Sequence, residues 1–584
     1  MRKVLSVLLL FAGMVATSCE EEKDLTSGLE PMVVKLALSQ TGEQYVDLVD
    51  DTPSYSFNVE KNYPIYATTA NLIVMTADEL GENFTPLAED QYEIASPQVD
   101  IADSEREHEV TVSFKNVTSL DPDLTYALGL KLESGSKKVE VNKARSSIIV
   151  AIKLGPEGTL GNPFVLSTKE DLLAMKEKCN VYSAENRNPA TAYFRMANDI
   201  DMSGVDWSPL DDNGTRPIHF DGGNHTIKNF SCIKRAGGPS FFGCLWGTVE
   251  NLKFENATIE AVNEKAGVVA AAVGLVGWGH TTAHAGVLRN VHVLSGTVTH
   301  TAQQDWIGWT GQAGGLCGEL VYPGSLITEC SANVDVSSNY AAGGLVGQVN
   351  NAMGVEKSFA TGKVSCAATL ATTAPGNILN GFLDPSHHNF NGKWGYAGGL
   401  IGLVYKTPVS NCYSTGEVVN TDPDRGMAGG LVGAVHQYAD EVINCYTTSV
   451  VTARVNGGGI AGGSTFFDSW NNYIMSCIAW NPSVTTLGDD PNSGRVCGFM
   501  QTNSAWGANC YARADMVVTL NGQVVQKTEQ ADLITSGGPR IYEGRNASNL
   551  VTTARDVLKW SPAIWDFSGE RPVLRWEKER NEAQ

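Results

Sequence analysis

The sequence predicts an all-β protein in which a small antiparallel β-sandwich precedes a right-handed parallel β-helix. Short strand-like runs such as "HEVTVSF" and "SSIIVAIKL", separated by polar turns, fill residues 31–154, which is the pattern of a small sandwich. Within residues 160–577 a Gly-rich apolar hexamer returns, most often every 29 to 31 residues, and this periodicity predicts stacked coils. With 60 Gly and only 18% charged residues, the chain has the composition of a folded protein with many turns.

The first nineteen residues, "MRKVLSVLLLFAGMVATSC", have the pattern of an export signal. Arg2 and Lys3 precede an apolar run, and small residues lead to Cys19. The end of the segment resembles the lipobox of bacterial lipoproteins, although Ala16 stands where Leu is usual. The acidic linker at 20–30, which begins "EEEKD", is similar to the signal that sends Bacteroidetes lipoproteins to the outer face of the outer membrane. The resemblance implies a lipid on Cys19 and a cell-surface protein anchored in that membrane without spanning it.

Charge and cysteine content exclude several classes of partner. The net charge of −22 repels phosphate backbones, so no nucleic-acid partner is expected. Eleven cysteines remain after Cys19, and no C-x-x-C pair occurs. Neither a disulfide framework nor a metal site is therefore predicted, and no cofactor is expected. Four cysteines recur at intervals of 33, 32 and 33 residues and are interpreted as small core side chains: Cys412, Cys445, Cys477 and Cys510.

The predicted sandwich is rich in acidic residues. From residue 20 to residue 154 there are 25 Asp/Glu and 11 Lys/Arg, a balance typical of a solvated surface. The stretch "ADELGENFTPLAEDQYEIASPQVDI" and the strands after it resemble a domain of unknown function found near the start of many Bacteroidetes surface lipoproteins. That resemblance implies a spacer or accessory domain ahead of a glycan-binding or carbohydrate-active module.

The repeat region follows one helix-like stretch, in which Thr168 is the predicted N-cap and Leu172, Leu173 and Met175 are predicted to share one side. Each repeat has a Gly-rich strand, such as "AGGLVG" at 342–347, and a second strand such as "VSNCYSTGEVV". We expect the Gly residues to adopt positive φ at tight corners and to let adjacent coils pack closely. The apolar residue after the Gly pair should form a buried column: Leu316, Leu345, Leu400, Leu431 and Ile460.

These units resemble GLUG repeats, named for a G-L-x-G core and first noted in bacterial surface proteins that include IgA-specific metallopeptidases. The stretch "WDFSGERPVLRW" resembles the closing signature of such domains, and a polar tail is predicted at 578–584. A metallopeptidase needs H-E-x-x-H on a helix, whereas the "HEVTV" at His108 has no second His and lies in a strand-like run. Peptidase activity is therefore not predicted.

Two stretches, "NDIDMSGVDW" and "FDGGNHT", place acidic residues near a histidine and admit two interpretations. As a general acid/base set they would indicate a polysaccharide lyase or glycoside hydrolase on a β-helix scaffold. As Asp-Gly turns they would serve backbone geometry alone, which is the interpretation we favour. The residues concerned are Asp199, Asp201, Asp206, Asp221 and His225.

A long insertion between Cys366 and Tyr396 interrupts the repeats, and solenoid insertions become loops that often carry the binding face. Two further aromatic clusters stand next to Gly-rich strands. Exposed Trp and Tyr rings beside Asp and Asn suit stacking and hydrogen bonding to sugars, but each ring could equally anchor its own loop. The candidate glycan-binding residues are Trp306, Trp309, Asp384, His387, His388, Trp394, Tyr396, Trp470 and Tyr473.

The expected function is non-catalytic. We expect a lipid-anchored surface protein that binds a glycan, or another host or extracellular ligand, or mediates adhesion through loops of the β-helix. The first alternative is the polysaccharide-active enzyme, which requires acids and a base from neighbouring coils to converge in one cleft. The second alternative is a structural stalk that spaces other surface components.

Overall fold

The computed structural model describes residues 33–47, 53–117, 120–121, 124–153, 156–183, 185–211, 213–274, 284–301, 311–367, 395–422, 426–436, 441–465, 472–488, 492–500, 505–530, 533–534 and 541–582. The chain divides into two compact units, residues 1–155 and 156–584. Strands dominate both units, so the predicted all-β class is confirmed. Among the described residues, no helix has the length and apolar character needed to cross a membrane.

The N-terminal unit has two sheets that bury one apolar core between them, which confirms the predicted sandwich. A helix of four residues, α1 (Ala77–Leu80), and two 3-10 turns (Glu89–Gln91 and Lys143–Arg145) connect its strands. The first sheet has, in spatial order, strands Val139–Val141, Val34–Leu38, Ser54–Lys61, Glu107–Phe114 and Tyr92–Ile94. The second has Gly42–Asp47, Ser147–Lys153, Tyr126–Ser134, Thr68–Val74 and Gln98–Ile101, with Thr85–Pro86 paired to Tyr126–Ser134.

The second unit begins with helix α2 (Lys169–Lys178), which has the predicted N-cap. The Thr168 hydroxyl accepts a hydrogen bond from the backbone N–H of Asp171 at 3.3 Å. Leu172 and Met175 are buried as predicted, because residues three apart share a helix face. Leu173 is 51% exposed, so its prediction is wrong: adjacent helical residues point in different directions.

The rest of the second unit is a parallel β-helix. Its regular coils contribute five short strands each to three sheets, and successive coils pair in parallel. One sheet has strands Gln312–Gly314, Ala341–Gly343, Tyr396–Gly398, Met427–Gly429, Asn456–Gly458 and Asn492–Gly494. A second has Ser231–Ile233, Ala257–Val262, Gly296–Thr301, Asp335–Ser338, Val364–Cys366, Val418–Asn420, Val451–Ala453, Ser483–Thr486, Val517–Leu520 and Gln523–Val524.

The third and largest sheet runs along the whole solenoid. Its strands are Phe164–Leu166, Ala192–Met196, Ile200–Asp201, Pro217–Asp221, Thr226–Lys228, Cys244–Glu255, Ala270–Val273, Gly286–Val293, Cys317–Val321, Leu326–Thr328, Ser331–Ala332, Val346–Asn350, Gly354–Glu356, Phe359–Ala360, Ile401–Tyr405, Val409–Ser410, Tyr413–Ser414, Val432–His436, Val442–Ile443, Tyr446–Thr447, Ala461–Thr465, Asn472–Met475, Ile478–Ala479, Cys497–Phe499, Ala505–Ala508, Tyr511–Arg513, Leu533–Ile534 and Arg545–Ala547. The interior is narrow and apolar, as stacked coils require.

The Gly-rich hexamers stack in register, but their glycines do not adopt positive φ, so this part of the prediction is wrong. They are needed because backbones approach too closely for a side chain. A Cβ on Gly343 would lie 1.9 Å from the carbonyl oxygen of Val346, and a Cβ on Gly344 would lie 2.1 Å from that of Gly399 in the next coil. The predicted apolar column is confirmed, since all five of its members are fully buried: Leu316, Leu345, Leu400, Leu431 and Ile460.

Positive φ occurs at a different corner of the coil, and residues other than glycine occupy it. In six successive coils this corner has φ between 47° and 57°, and the left-handed region is best tolerated by Asn among these side chains. The same column continues into earlier coils, where the Asn290 amide donates to Oδ1 of Asn251 at 2.8 Å. The six residues are Glu329, Lys357, Asn411, Asn444, Ser476 and Asn509.

The residue after each of these corners points into the core, and four of them are the cysteines with the regular spacing. All four are fully buried, which confirms their interpretation as core side chains. Each thiol faces a carbonyl oxygen two residues earlier, as in Cys412 to Ser410 at 3.1 Å and Cys445 to Ile443 at 3.2 Å. Burial raises the pKa of the Cys445 thiol well above its usual value, and a buried thiol of this kind is unreactive. We call these four residues the cysteine ladder.

The C-terminal segment runs back along the outside of the coils. It contains helix α3 (Leu550–Thr552), a π-helical turn (Thr553–Val557), a two-stranded hairpin (Trp565–Asp566 and Val573–Leu574) and helix α4 (Arg575–Glu582). Helix α4 includes most of the predicted polar tail.

Three tryptophans of this segment donate hydrogen bonds to successively earlier coils. The indole N–H of Trp560 bonds to the carbonyl of Ser476 at 3.2 Å, that of Trp565 to Oδ1 of Asn411 at 3.3 Å, and that of Trp576 to the carbonyl of Lys357 at 2.8 Å. The segment therefore spans four successive coils of the solenoid.

Arg571 holds the hairpin against a column of stacked aromatic rings. Phe359, Tyr413 and Tyr446 stack with centroid distances of 4.6 and 5.0 Å. The Arg571 guanidinium lies 4.8 Å from the centroid of Tyr413 and donates to the Tyr446 hydroxyl at 3.0 Å. The Tyr413 hydroxyl in turn donates to Glu577 at 2.9 Å. A partly buried cation–π contact combined with charge-assisted hydrogen bonds is among the stronger local interactions in proteins.

Replacing Gly343 by Ala should destabilise the solenoid by about 3 kcal/mol, because the new methyl group overlaps a backbone carbonyl that cannot move independently. The matched control is Gly354→Ala, at which the nearest atom to a Cβ lies 3.5 Å away. Thermal unfolding followed by circular dichroism should show a lower midpoint for Gly343→Ala alone. Equal midpoints for the two variants would contradict the close-packing explanation.

Replacing Arg571 by Lys should loosen the C-terminal segment at a cost of about 1–2 kcal/mol, since Lys does not reproduce the planar contact with the tyrosines. Limited proteolysis should release the C-terminal peptide faster than in the wild type. Arg555→Lys is the control, because Arg555 is half-exposed and pairs with the exposed Asp556. Equal cleavage rates in the two variants would show that Arg571 does not hold the hairpin.

Candidate functional site

Most of the residues predicted to bind glycans lie outside the described residues: Trp306, Trp309, Asp384, His387, His388, Trp394 and Trp470. The same holds for Cys19, the predicted lipidation site. Tyr473 lies in strand Asn472–Met475. The roles of these residues stay predictions.

Tyr396 is the exception, and the expectation of an exposed ring is wrong. Its side chain is 6% exposed, and its ring packs edge-on against Tyr340 with centroids 5.6 Å apart. Tyr396 opens the strand after the insertion and pairs in register with Ala341 and Met427 of the neighbouring coils. The ring is therefore part of a packed cluster and offers no face for a sugar.

The candidate acid/base residues are engaged in turns, which favours the structural interpretation. Asp201 accepts hydrogen bonds at 2.9 Å from the backbone N–H of Ser203 and from the amide of Asn229, and these bonds lower its pKa to about 2. Asp221 accepts from the backbone N–H of Gly223 at 3.0 Å. Carboxylates held in this way stabilise turn geometry.

The other members of the acid/base set form ion pairs across neighbouring coils. Asp199 bonds to Lys228 at 3.0 Å and lies 3.5 Å from Nδ1 of His225. Asp206 pairs with Arg235. In the described part of the chain, no group of three or more His, Cys, Asp or Glu side chains is arranged to hold a metal ion.

A second polar cluster, which sequence reasoning missed, lies on the outer face of the first coils. Asp221, Glu250 and Arg289 occupy one column in successive coils, and Nε2 of His219 lies 2.9 Å from Glu250. The bond to His219 and the nearby charge of Arg289 lower the pKa of Glu250. Glu250 is thus held as a carboxylate, which makes it a poor proton donor for glycosidic cleavage.

One cavity of the second unit lies between the coils and the C-terminal hairpin. It has a volume of about 540 Å³, within the range of small-ligand sites. We call it the Trp480 pocket, because the half-buried indole of Trp480 forms its aromatic wall. The guanidinium of Arg513, one coil further on, lies 5.7 Å from the Trp480 ring. The lining residues are Thr448, Trp480, Leu550, Asp566, Ser568, Gly569, Glu570, Arg571, Val573 and Lys578.

The hairpin side of the pocket carries charged hydrogen-bonding groups. Asp566 accepts a hydrogen bond from the backbone N–H of Ser568 at 2.9 Å and pairs with Lys578 at 3.2 Å. These contacts, the Ser568 hydroxyl first, lower the pKa of Asp566 to about 2. Glu570 is exposed at the hairpin turn. The pocket thus combines one aromatic face with carboxylate acceptors and an ammonium donor.

The repeat alignment contains a signal that could have identified Trp480. The position three residues after the ladder cysteine is Thr415, Thr448, Trp480 and Arg513 in successive coils. A large aromatic side chain therefore replaces a small polar one at an outward-facing position. The opposite wall of the pocket comes from the stretch "WDFSGERPVLRW". In the sequence this stretch was interpreted only as the closing signature of the domain, without a role in binding.

Residues 31–139 match a protein family described as "-like, N-terminal domain". No curated protein matches the chain.

Three solved structures from Bacteroides species are similar to parts of the chain. A "putative immunoglobulin A1 protease" from Bacteroides ovatus is 22% identical over 72% of this chain and 94% of its own, with a TM-score of 0.40. A protein of unknown function from Bacteroides ovatus is 14% identical over 21% of this chain and 44% of its own, with a TM-score of 0.17. EndoBT-3987 from Bacteroides thetaiotamicron, solved with a Man5GlcNAc product, is 16% identical over 27% of this chain and 40% of its own, with a TM-score of 0.18.

These likenesses carry no argument about activity, since every TM-score is below 0.5. The chain also spans less than half the length of the second and third of these proteins. Residues 31–139 thus resemble a known type of N-terminal domain, and the second unit contains a parallel β-helix.

Proposed function

We propose that this protein binds glycans without cleaving them, and that the Trp480 pocket is the binding site. The observation that carries the proposal is a half-buried indole that lines, together with charged hydrogen-bonding groups, a cavity of about 540 Å³. An aromatic ring offers a flat apolar face, and the carboxylates and ammonium group offer partners for hydroxyls. This combination suits a sugar ring, which has apolar C–H faces and polar edges.

The electrostatics of the pocket support binding over hydrolysis. A glycosidase needs one carboxyl group whose pKa is raised, so that it can protonate the leaving oxygen. In the pocket, Ser568 and Lys578 hold Asp566 in the opposite state, with its pKa lowered to about 2. Glu250 on the first coils also has a lowered pKa. Ionised carboxylates serve well as fixed hydrogen-bond acceptors for sugar hydroxyls.

The same proposal places the protein on the cell surface, anchored in the outer membrane by a lipid on Cys19. The lipobox-like segment ending at Cys19 and the acidic tract after it support this location. A tether at residue 19 would leave both compact units on the aqueous side of the membrane.

Replacing Trp480 by Ala should weaken glycan binding about tenfold, because the stacking surface is lost. Glu570→Gln is a second variant, since its exposed side chain has little role in packing. The control is Tyr45→Ala, which removes a ring that is 56% exposed in the other unit. A glycan array probed with the purified full chain identifies retained glycans, and the affinities for these are then compared among the variants.

The array eluate should also be analysed for shorter oligosaccharides. Retention without products, lost in Trp480→Ala and reduced in Glu570→Gln, is the expected result. Release of products would contradict the non-catalytic proposal. Undiminished retention in both pocket variants, or no retention of any glycan, would contradict the assignment of this pocket.

Replacing Cys19 by Ala should release the protein from the outer-membrane fraction, since the residue that accepts the lipid is lost. Fractionation of cells followed by immunoblotting measures this. In the wild type, protease added to intact cells should digest the protein, whereas a periplasmic control protein should survive. A Cys19→Ala protein that stays in the outer-membrane fraction would contradict lipid anchoring.

A further inference from the structure

A buried histidine lies beneath the last helix of the C-terminal segment. His292 belongs to strand Gly286–Val293 and is 1% exposed. Its imidazole stacks on the indole of Trp576 in helix α4, with the ring centroids 5.1 Å apart. The same indole stacks on Phe359, two coils further along the solenoid, at 5.7 Å. Helix α4 therefore covers His292, and detachment of the helix would expose the imidazole to water.

The hydrogen bonds of His292 favour the neutral imidazole. Nε2 lies 2.8 Å from Oδ1 of Asn290, and Nδ1 lies 2.9 Å from the Ser331 hydroxyl. The Asn290 amide donates to Oδ1 of Asn251, which directs the Asn290 oxygen toward the imidazole. Nε2 therefore carries the proton, and Nδ1 accepts a hydrogen bond from the Ser331 hydroxyl. A second proton would have to enter at Nδ1, where it would break the bond that the hydroxyl donates.

The charges near His292 also oppose its protonation. Lys253 occupies the same position in the preceding coil, and Arg580 lies on helix α4 one turn beyond the indole that covers the imidazole. Glu577 of the same helix accepts a hydrogen bond from the Tyr413 hydroxyl at 2.9 Å. Within the described part of the chain, no carboxylate forms an ion pair with His292. Burial first, and then the charges of Arg580 and Lys253, lower the pKa of His292 to about 2.

Protonation of His292 is therefore coupled to release of the helix. An exposed histidine has a pKa near about 6.5, whereas His292 beneath helix α4 stays neutral to a much lower pH. At pH values between these two, the state with the helix detached binds more protons than the attached state. Attachment is then fully stable above about pH 7 and weakens as the pH falls below about 6.5. Between about pH 7.5 and about pH 5 the detached population should rise about thirtyfold.

We propose that His292 acts as a pH-sensitive switch for the C-terminal segment: protonation of its imidazole in mildly acidic solution releases helix α4 from the coils. The proposal stands on an imidazole that is buried, held neutral by its hydrogen bonds and flanked by two cations. Lys578 of the same helix lines the Trp480 pocket and pairs with Asp566, so release would also alter that pocket. This consequence for glycan binding rests on the proposed function, whereas release of the helix does not.

Hydrogen–deuterium exchange of the purified full chain, followed by mass spectrometry, measures the release. Protection of the peptide that contains helix α4 is compared at about pH 7.5 and about pH 5, after correction for the intrinsic pH dependence of amide exchange. Protection of helix α4 should fall about thirtyfold at the lower pH, whereas that of strand Val346–Asn350 should change less than about twofold. The ion pair between Asp566 and Lys578 persists in this range, because the pKa of Asp566 is lowered to about 2.

Two variants test the role of the imidazole. His292→Gln retains a neutral hydrogen-bonding side chain and His292→Phe retains an aromatic ring, but neither side chain takes up a proton in this range. In both, protection of helix α4 should fall less than about threefold between the two pH values. His225→Gln is the control, since it removes a partly exposed histidine that lies 3.5 Å from Asp199 in the first coils, and it should retain the wild-type change. Each ratio is taken within one variant, so a general loss of stability does not mimic the effect.

Equal protection of helix α4 at the two pH values in the wild type would overturn the proposal, and so would a wild-type pH dependence in both His292 variants. A matching loss of protection throughout the coils would show global unfolding and overturn it as well. If no glycan is retained on the array, the pocket assignment fails, while the exchange result still decides the role of His292.

Discussion

The close approach of backbone atoms at the Gly-rich corner is the constraint on which the rest of the solenoid depends. At Gly343 and Gly344 a Cβ would overlap carbonyl oxygens of the same and the next coil. This proximity permits the hydrogen bond between the Leu345 N–H and the Leu400 carbonyl at 2.8 Å. With the coils held in register, every outward side chain has neighbours one coil before and one coil after it. The tyrosine column and the position of Trp480 follow from that register.

The periodicity of the sequence was sufficient to predict the architecture, because a side chain repeated in every coil must stack on itself. Leu345 and Cys412 could be assigned to the core for this reason, and both are fully buried. Local backbone conformation could not be predicted in the same way, since Gly suits both a positive φ and a close contact. In these coils the positive φ values lie instead at residues such as Lys357 and Asn411. The residue type at this corner differs from coil to coil, so it does not identify the corner in the sequence.

The candidate binding residues were harder to predict from the sequence than the fold. Tyr396 was predicted as exposed because it follows a long insertion, but it begins a strand and packs on Tyr340. Trp480 was overlooked because it stands inside a repeat, where an aromatic residue is normally attributed to packing. Asp566, which lines the same pocket, belongs to a distant segment of the chain. Only the three-dimensional path of the C-terminal segment brings these residues together.

The contacts of the three C-terminal tryptophans have a consequence for biosynthesis. A solenoid folds by adding coils to their neighbours, and the N-terminal part of a chain emerges first. Trp560, Trp565 and Trp576 find their acceptors only when four successive coils are already stacked. Residues 550–582 are synthesised after these coils and therefore act as a latch that closes over coils already stacked. A truncated or half-assembled chain would lack the latch, and with it the wall of the pocket.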